Sequence, residues 1–267
     1  MGDPERHLHR LLTQMARIDA GAPFDVLIVC NGGLERPLAL PRRFDNLRAR
    51  IINRKNEGYN LAAWDSGWRA AKDYEFYLFL QTECVLRRTN WLSDFEFRIS
   101  NEVGIGLLGE HIEWDRQAWD YIRKSTARDL GEQIASEIDT YKTLLEKAGI
   151  PLGEAGSHLQ STILFTSRKV LEEVDGFPFI GPSYREAVAC EIGFSRLVES
   201  KGYRISRIRS GDYAVIGHRQ WTSDGKTSSR YKLRWMALGL LGKLVPSKVK
   251  TFLKKWRDQN SAPARSK

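Results

Sequence analysis

Residues 74–85 read YEFYLFLQTECV. An apolar run of this kind, closed by Gln81-Thr82-Glu83, is the pattern of a strand buried on both faces that stops abruptly at polar side chains. Two similar runs precede it. FDVLIVCNGG (24–33) ends on an Asn-Gly-Gly turn, and RARIINR (48–54) leads into the loop NEGYN. Between them and YEFYLFL, the stretch LAAWDSGWRAAKD (61–73) has the alanine and tryptophan content of a packed helix, with Trp64 and Trp68 read as core. Ahead of all three runs, Leu8, Leu11, Leu12, Met15 and Ile18 recur at helical spacing. The runs are too continuous for a one-sided antiparallel sheet. They predict an α/β fold with a mostly parallel sheet flanked by helices. In open sheets of that class ligands bind outside the carboxyl ends of the strands. CNGG, NEGYN and QTEC would then share one edge, and Glu83 would stand where a ligand binds.

Beyond this half, VGIGLLGE (103–110) reads as a further strand and His111 to Gly149 as a polar pair of surface helices. SHLQSTILFT (157–166) returns to strand character. It is followed by a helix start at SRKVLEEVDGF, a helix containing Glu191, and a last apolar run, GDYAVIGH, ending on His218.

The chain has 267 residues, 42% of them hydrophobic, and a formal charge of +9. The excess is local. From Ser228 onward eleven basic residues face the single acid Asp258, so the body is near neutral. In that tail Trp235, Leu238, Leu241 and Leu244 cluster before Pro246, and Val249, Phe252, Leu253 and Trp256 alternate with lysines. Basic amphipathic helices of this type lie on anionic membrane surfaces. Nucleic acid, the other polyanion, would leave the apolar face without a partner and ranks lower; packing of the helices on the domain is the simpler alternative. The expected organisation is a domain over 1–227, basic helices over 228–258 and a disordered tail over 259–267. Cys30, Cys84 and Cys190 lie in apolar stretches without metal spacing and are read as free thiols of a reducing compartment. The polar start MGDPERHLHR carries no secretory signal, and no apolar stretch reaches the ~20 residues of a membrane span. A cytoplasmic protein held at the inner face of the membrane is expected.

Three stretches taken together, NEGYNLAAWDSGWRAAKDYEFYLFLQTECVLRRTNWL (56–92), ILFTSRKVLEEVDGFPFIGPSYREAVACEIGFSRLVESKGYRI (163–205) and YAVIGH (213–218), resemble the inverting family 2 glycosyltransferases, whose catalytic domain has the GT-A fold. The resemblance runs from about residue 8 to 220. It implies transfer of a sugar from a nucleotide-sugar donor to a hydroxyl of a cell-surface glycan or lipid-linked acceptor of the lipopolysaccharide or capsule type. Such chemistry needs the leaving diphosphate neutralised, commonly by a divalent cation (Mn2+ or Mg2+), and the acceptor hydroxyl deprotonated by a carboxylate.

By the same resemblance, Glu83 takes the last position of an Asp-x-Asp motif whose first position is Gln81, and His218 supplies a second metal contact. Glu191 is the general base, with Glu186 as the alternative. Asn31, Gly32, Asn56, Gly58, Asp65, Gln81, Arg219 and Lys226 are the nucleotide-binding candidates. Trp114, Trp119 and Glu110 have the composition of an acceptor surface, although an amphipathic helix packing its aromatics would look the same. A solvated strand end would also account for Glu83, and a structural histidine for His218. Two departures stand out. Gln81 replaces a carboxylate, and the strand that opens the family's fold has no counterpart ahead of the first helix. They keep a second reading open, a catalytically inactive GT-A-like scaffold subunit of a glycan assembly complex.

Overall fold

The computed structural model describes residues 4–32 and 38–222, all within one compact unit, Met1–Ser223. Lys226 and the tail segments 228–258 and 259–267 lie outside the described residues.

The first helix, α1 (Pro4–Met15), opens with proline at a position where no backbone N–H is needed. Its Leu8, Leu11 and Leu12 are buried. β1 (Val26–Asn31) then pairs in parallel with β2 (Ala49–Arg54), Ile28 opposite Ile51. A 3-10 helix, Arg42–Leu47, lies between them and buries Phe44 and Leu47. α2 (Tyr59–Arg69) starts after Gly58, whose φ of 70° is the left-handed conformation glycine tolerates. β3 (Phe76–Leu80) and β4 (Cys84–Leu86) follow, then α3 (Ser93–Asn101), β5 (Ile105–Gly109) and β6 (Ile112–Glu113). The segment read as two surface helices is α4 (Trp119–Leu130) and α5 (Glu132–Lys147). The last third holds β7 (His158–Leu159), β8 (Ile163–Ser167), α6 (Arg168–Glu173), α7 (Tyr184–Ser200), β9 (Arg204–Arg207) and β10 (Ile216–His218).

The main sheet has the order β3-β8-β5-β9. β8 is antiparallel to both its neighbours, and β5 and β9 are parallel. β4 pairs antiparallel with β10, and β6 with β7. The fold is therefore mixed α/β, and the expectation of a mostly parallel sheet is corrected. Continuous apolar runs report helices on both faces of a sheet, which holds here whatever the strand direction. On one face Phe76, Leu78, Leu80 and Phe165 join Leu11, Trp91 and Phe95. On the other, Tyr77, Phe79 and Leu164 pack on Trp64, Trp68, Phe177 and Phe194. Alternate residues of one strand thus face two helical layers. The α4–α5 hairpin adds its own cluster against α7, built on Trp119, Ile122, Ile138, Leu145 and Ile192.

Cys30, Cys84 and Cys190 are free thiols, the last two buried. No described helix is long and apolar enough to cross a membrane.

Candidate active site

Gln81-Thr82-Glu83 is a tight reversal between β3 and β4, closed by the Cys84 N–H donating to the Gln81 carbonyl at 3.1 Å. It sits at the carboxyl end of β3, as the sequence suggests. The β4–β10 register places His218 opposite Cys84. The Gln81 side chain then bridges two elements: its Oε1 lies 3.1 Å from His218 Nε2, and its Nε2 donates to the Ser161 carbonyl at 2.8 Å. Glu83 Oε1 is 3.7 Å from Nδ1 of His7, on α1, and its carbonyl accepts the Arg219 N–H at 3.1 Å. Burial pushes the His218 pKa down to about 4, against the opposing pull of the Glu83 charge. The His218 ring is therefore neutral at physiological pH.

The loop between β7 and β8 supplies the other half. Glu191, in the middle of α7, accepts the Ser161 backbone N–H at 2.6 Å and also the Ser161 hydroxyl, both on Oε2. Its Oε1 lies 3.6 Å from His158 Nε2. His158 is buried, with Nδ1 3.0 Å from the Gly156 carbonyl and the edge of Trp114 against its ring at 5.0 Å. The Ser161 carbonyl, which receives Gln81, also accepts from Asn60 Nδ2 at the start of α2. The backbone of one residue, Ser161, thereby joins α2, the end of β3 and α7. The Glu191 carboxylate is fixed there with one oxygen saturated and the other facing an imidazole.

Beside this centre His111 lies between two carboxylates, Glu113 at 3.2 Å and Asp212 at 3.0 Å, with its ring stacked on Tyr213. The Glu113 hydrogen bond raises the His111 pKa, and the same bond lowers that of Glu113. Gln160 connects this group to the Ser161 loop, accepting the Tyr213 hydroxyl and donating to Glu113 at 3.4 Å.

Several expected nucleotide ligands line one cleft, Asn31, Gly32, Asn56 and Gln81 together with Asn60 and Glu83. Asn31 accepts from Arg54 at 2.7 Å and donates to the Tyr59 carbonyl at 3.1 Å. Gly58 shapes the entry to α2 instead, since a Cβ there would meet Ala62 Cβ at 2.6 Å. Asp65 turns away from the cleft. It accepts the Phe177 N–H at 3.1 Å and pairs with Arg69 at 2.8 Å, tying α2 to the loop after α6. Glu186 completes a capping box with Ser183 at the start of α7, its carboxylate accepting the Ser183 N–H at 2.7 Å. The Ser183 side chain, then that N–H, lowers its pKa. Arg219 is exposed next to Glu83.

The acceptor expectation is corrected for two of its three residues. Glu110 is 1% exposed, and its Oε1 accepts the Val215 and Ile216 N–H groups at 3.0 and 2.6 Å. Burial raises its pKa to about 7. Trp119 is buried, with Nε1 donating to the Leu152 carbonyl at 3.1 Å. Glu110 turns inward to take the N–H groups at the start of β10, and Trp119 because α4 packs its apolar side on α7. Trp114 is half-buried behind His158. His7, His158 and Ser161 are participants that sequence reading missed. The polar residues interrupting SHLQST, inside a stretch read as continuous strand, were the available signal.

An N and O donor set of Glu83, neutral His218 and the Gln81 carbonyl suits a hard divalent cation. Among the described residues, however, no group of three His, Cys, Asp or Glu side chains is arranged to hold one.

No family model matches the chain, and no curated protein matches it. Among solved structures it is similar to the crystal structure of glucosyl-3-phosphoglycerate synthase from Mycobacterium tuberculosis in complex with Mn2+, uridine diphosphate and glucosyl-3-phosphoglycerate. The similarity covers 91% of this chain and 76% of that one, with 14% identity and a TM-score of 0.43.

Proposed function

We propose that the chain is an inverting, nucleotide-sugar-dependent glycosyltransferase of the GT-A type, acting on a hydroxyl of a cell-surface glycan or lipid-linked acceptor. The observation that carries this reading is the Glu191 carboxylate, held by Ser161, whose carbonyl continues through Gln81 to His218 in one hydrogen-bonded relay, with Glu83 ending the same turn as Gln81. Glu191 Oε1 takes the proton of the acceptor hydroxyl. The acceptor oxygen forms its bond to C1 of the donor sugar from the face opposite the diphosphate. The bond from C1 to the diphosphate oxygen breaks, and the nucleoside diphosphate leaves with the electron pair. Asn31, Gly32 and Asn56 border the space for the nucleotide, and Arg219 stands beside Glu83 to meet the phosphates. Glu83, His218 and Gln81 would hold a divalent cation, which when bound neutralises the leaving diphosphate as a Lewis acid. The basic segment 228–258 would keep the enzyme at the inner face of a membrane, where lipid-linked acceptors are met.

A specific observation favours a second reading. Gln81 puts a neutral amide where a carboxylate would strengthen a cation site, and its carbonyl already faces His218 Nε2. A nucleotide-binding scaffold subunit without turnover is the function this would leave.

Titration calorimetry of the full chain with UDP, GDP and dTDP, each with and without Mn2+, tests the proposal. Binding of one nucleotide supports it and names the donor class. No binding of any of the three rejects both readings of the site.

A further inference from the structure

The two-residue strand β7 carries a buried imidazole, His158. Its Nδ1 lies 3.0 Å from the Gly156 carbonyl. A carbonyl oxygen only accepts, so Nδ1 carries the ring hydrogen. Glycine at 156 lets the chain run close to α4, since a Cβ there would lie 2.6 Å from Ile122 Cδ1. In the neutral ring Nε2 is then a bare lone pair, and it faces Glu191 Oε1 at 3.6 Å. Two acceptors placed in this way are joined by a proton between them. Contacts of this kind are long in a site without substrate and shorten when the reacting groups close on it. Oε2 of the same carboxylate is taken by the Ser161 N–H and hydroxyl. A proton reaching Glu191 is therefore held on Oε1, the oxygen that faces the ring.

The surroundings suit a positive charge on that ring. Across the β6–β7 pair Glu113 stands opposite His158. The His111 hydrogen bond lowers the Glu113 pKa against the cost of burial, and the His158 charge adds to the same effect. His111 itself lies between Glu113 and Asp212. On α7, Arg196 donates to the Ser157 carbonyl and is paired with Glu199. Tyr141, Tyr184 and Tyr213 sense the Glu191 charge, but burial raises all three and they stay neutral. An imidazolium at His158 would thus meet Glu191 on the helix side and Glu113 on the strand side.

We propose that His158 is a positioning residue for the base, receiving at Nε2 the proton that Glu191 Oε1 takes from the acceptor hydroxyl. The inference rests on the transferase reading above. The electron pair of the O–H bond stays on the acceptor oxygen and forms its bond to C1. The pair of the bond from C1 to the diphosphate oxygen leaves with the nucleoside diphosphate. The proton passes from Oε1 to Nε2, and the ring becomes an imidazolium with Nδ1 still on Gly156. Glu191 is then a carboxylate again while the product is in place, and the reverse reaction must first recover the proton from the ring.

The test uses the full chain labelled with 15N at its five histidines. The signal lost in His158→Asn identifies the ring, because Asn keeps an N–H for the Gly156 carbonyl and removes Nε2. On titration with acid, Glu191→Gln should need at least about tenfold more acid than the natural chain for the same change in the His158 Nε2 signal. Donor consumption is read beside it. His158→Asn should melt like the natural chain and lose at least about tenfold in kcat, with KM within about twofold. In His158→Ala, imidazole should restore consumption, and pyrazole, a ring of the same size and a far weaker base, should not. An Nε2 titration unchanged by Glu191→Gln, or equal recovery with both rings, would overturn the inference while consumption by the natural chain keeps the transferase reading. No consumption of any donor alongside the expected Nε2 response would overturn the transferase reading, and the proton transfer with it.

Discussion

The Glu191 carboxylate accepts the backbone N–H of Ser161 at 2.6 Å, across a sequence separation of 30 residues. A buried helix and a loop between two strands are thereby locked at the point where the Gln81 and Asn60 side chains also converge. Fixing a carboxylate by one oxygen leaves the other to act, and the expected behaviour of the site follows from that division.

Replacing Glu191 by Gln preserves an oxygen for the Ser161 N–H and removes the carboxylate proposed as the base. Transfer should fall by about 10²–10⁴, while the nucleotide dissociation constant changes less than about twofold. Parallel measurement of turnover and of nucleotide binding checks this. A loss of both in proportion would mean that Glu191 only holds the fold.

Asp65 holds the Phe177 N–H and Arg69 rather than a ligand. Asp65→Ala should therefore cost about 1–3 kcal/mol of stability, the range for stranding a buried donor. Nucleotide affinity should stay unchanged. Denaturant unfolding and calorimetry separate the two effects, and a weakened nucleotide with intact stability would return Asp65 to the binding site.

Two buried groups give stability opposite slopes with pH. Glu110 titrates at about 7 in the fold, above its ordinary value, so its contribution is complete below about pH 4.5 and lost as pH rises through 7. His218 titrates at about 4, below its ordinary value, so its contribution is complete above about pH 6.5 and lost as pH falls through 4. Each is on the order of 3 kcal/mol. In Glu110→Gln the melting temperature should rise from pH 4 to 7, and in His218→Gln it should fall from pH 5 to 8. Matching profiles in the two variants would contradict the assignment.

Much of the architecture was legible in the sequence. YEFYLFL is β3, FDVLIVCN contains β1, and Leu8, Leu11 and Leu12 form the buried side of α1. Strand direction was not legible, because helices cover both faces of the main sheet and erase the alternation that marks antiparallel pairing. Gln81 meets His218, and both connect through Ser161 to Glu191, while Glu83 ends the same turn as Gln81. Glu110 misled, since a carboxylate after an apolar strand looks solvent-facing. Here it turns inward to satisfy the Val215 and Ile216 N–H groups. His158 and His7 were invisible for the converse reason: their partners, Glu191 and Glu83, lie on elements distant in sequence, and no local spacing reports such contacts.

Mn2+ alone should bind weakly, because Glu83 and His218 bring few donors and Gln81 already faces His218. With the cognate nucleoside diphosphate present, its affinity should rise at least about tenfold as phosphate oxygens join the set. Glu83→Gln should abolish that gain. Titration followed by the Mn2+ electron paramagnetic resonance signal measures all three cases.

Transferase activity is tested most sharply by release of free nucleoside diphosphate from a panel of nucleotide sugars, compared between the natural chain and Glu191→Gln. One donor should be consumed by the natural chain, and its consumption should drop at least about a hundredfold in the variant while the nucleotide still binds. Tight binding of a donor that neither protein consumes, or equal consumption by both, would contradict a transferase with Glu191 as its base.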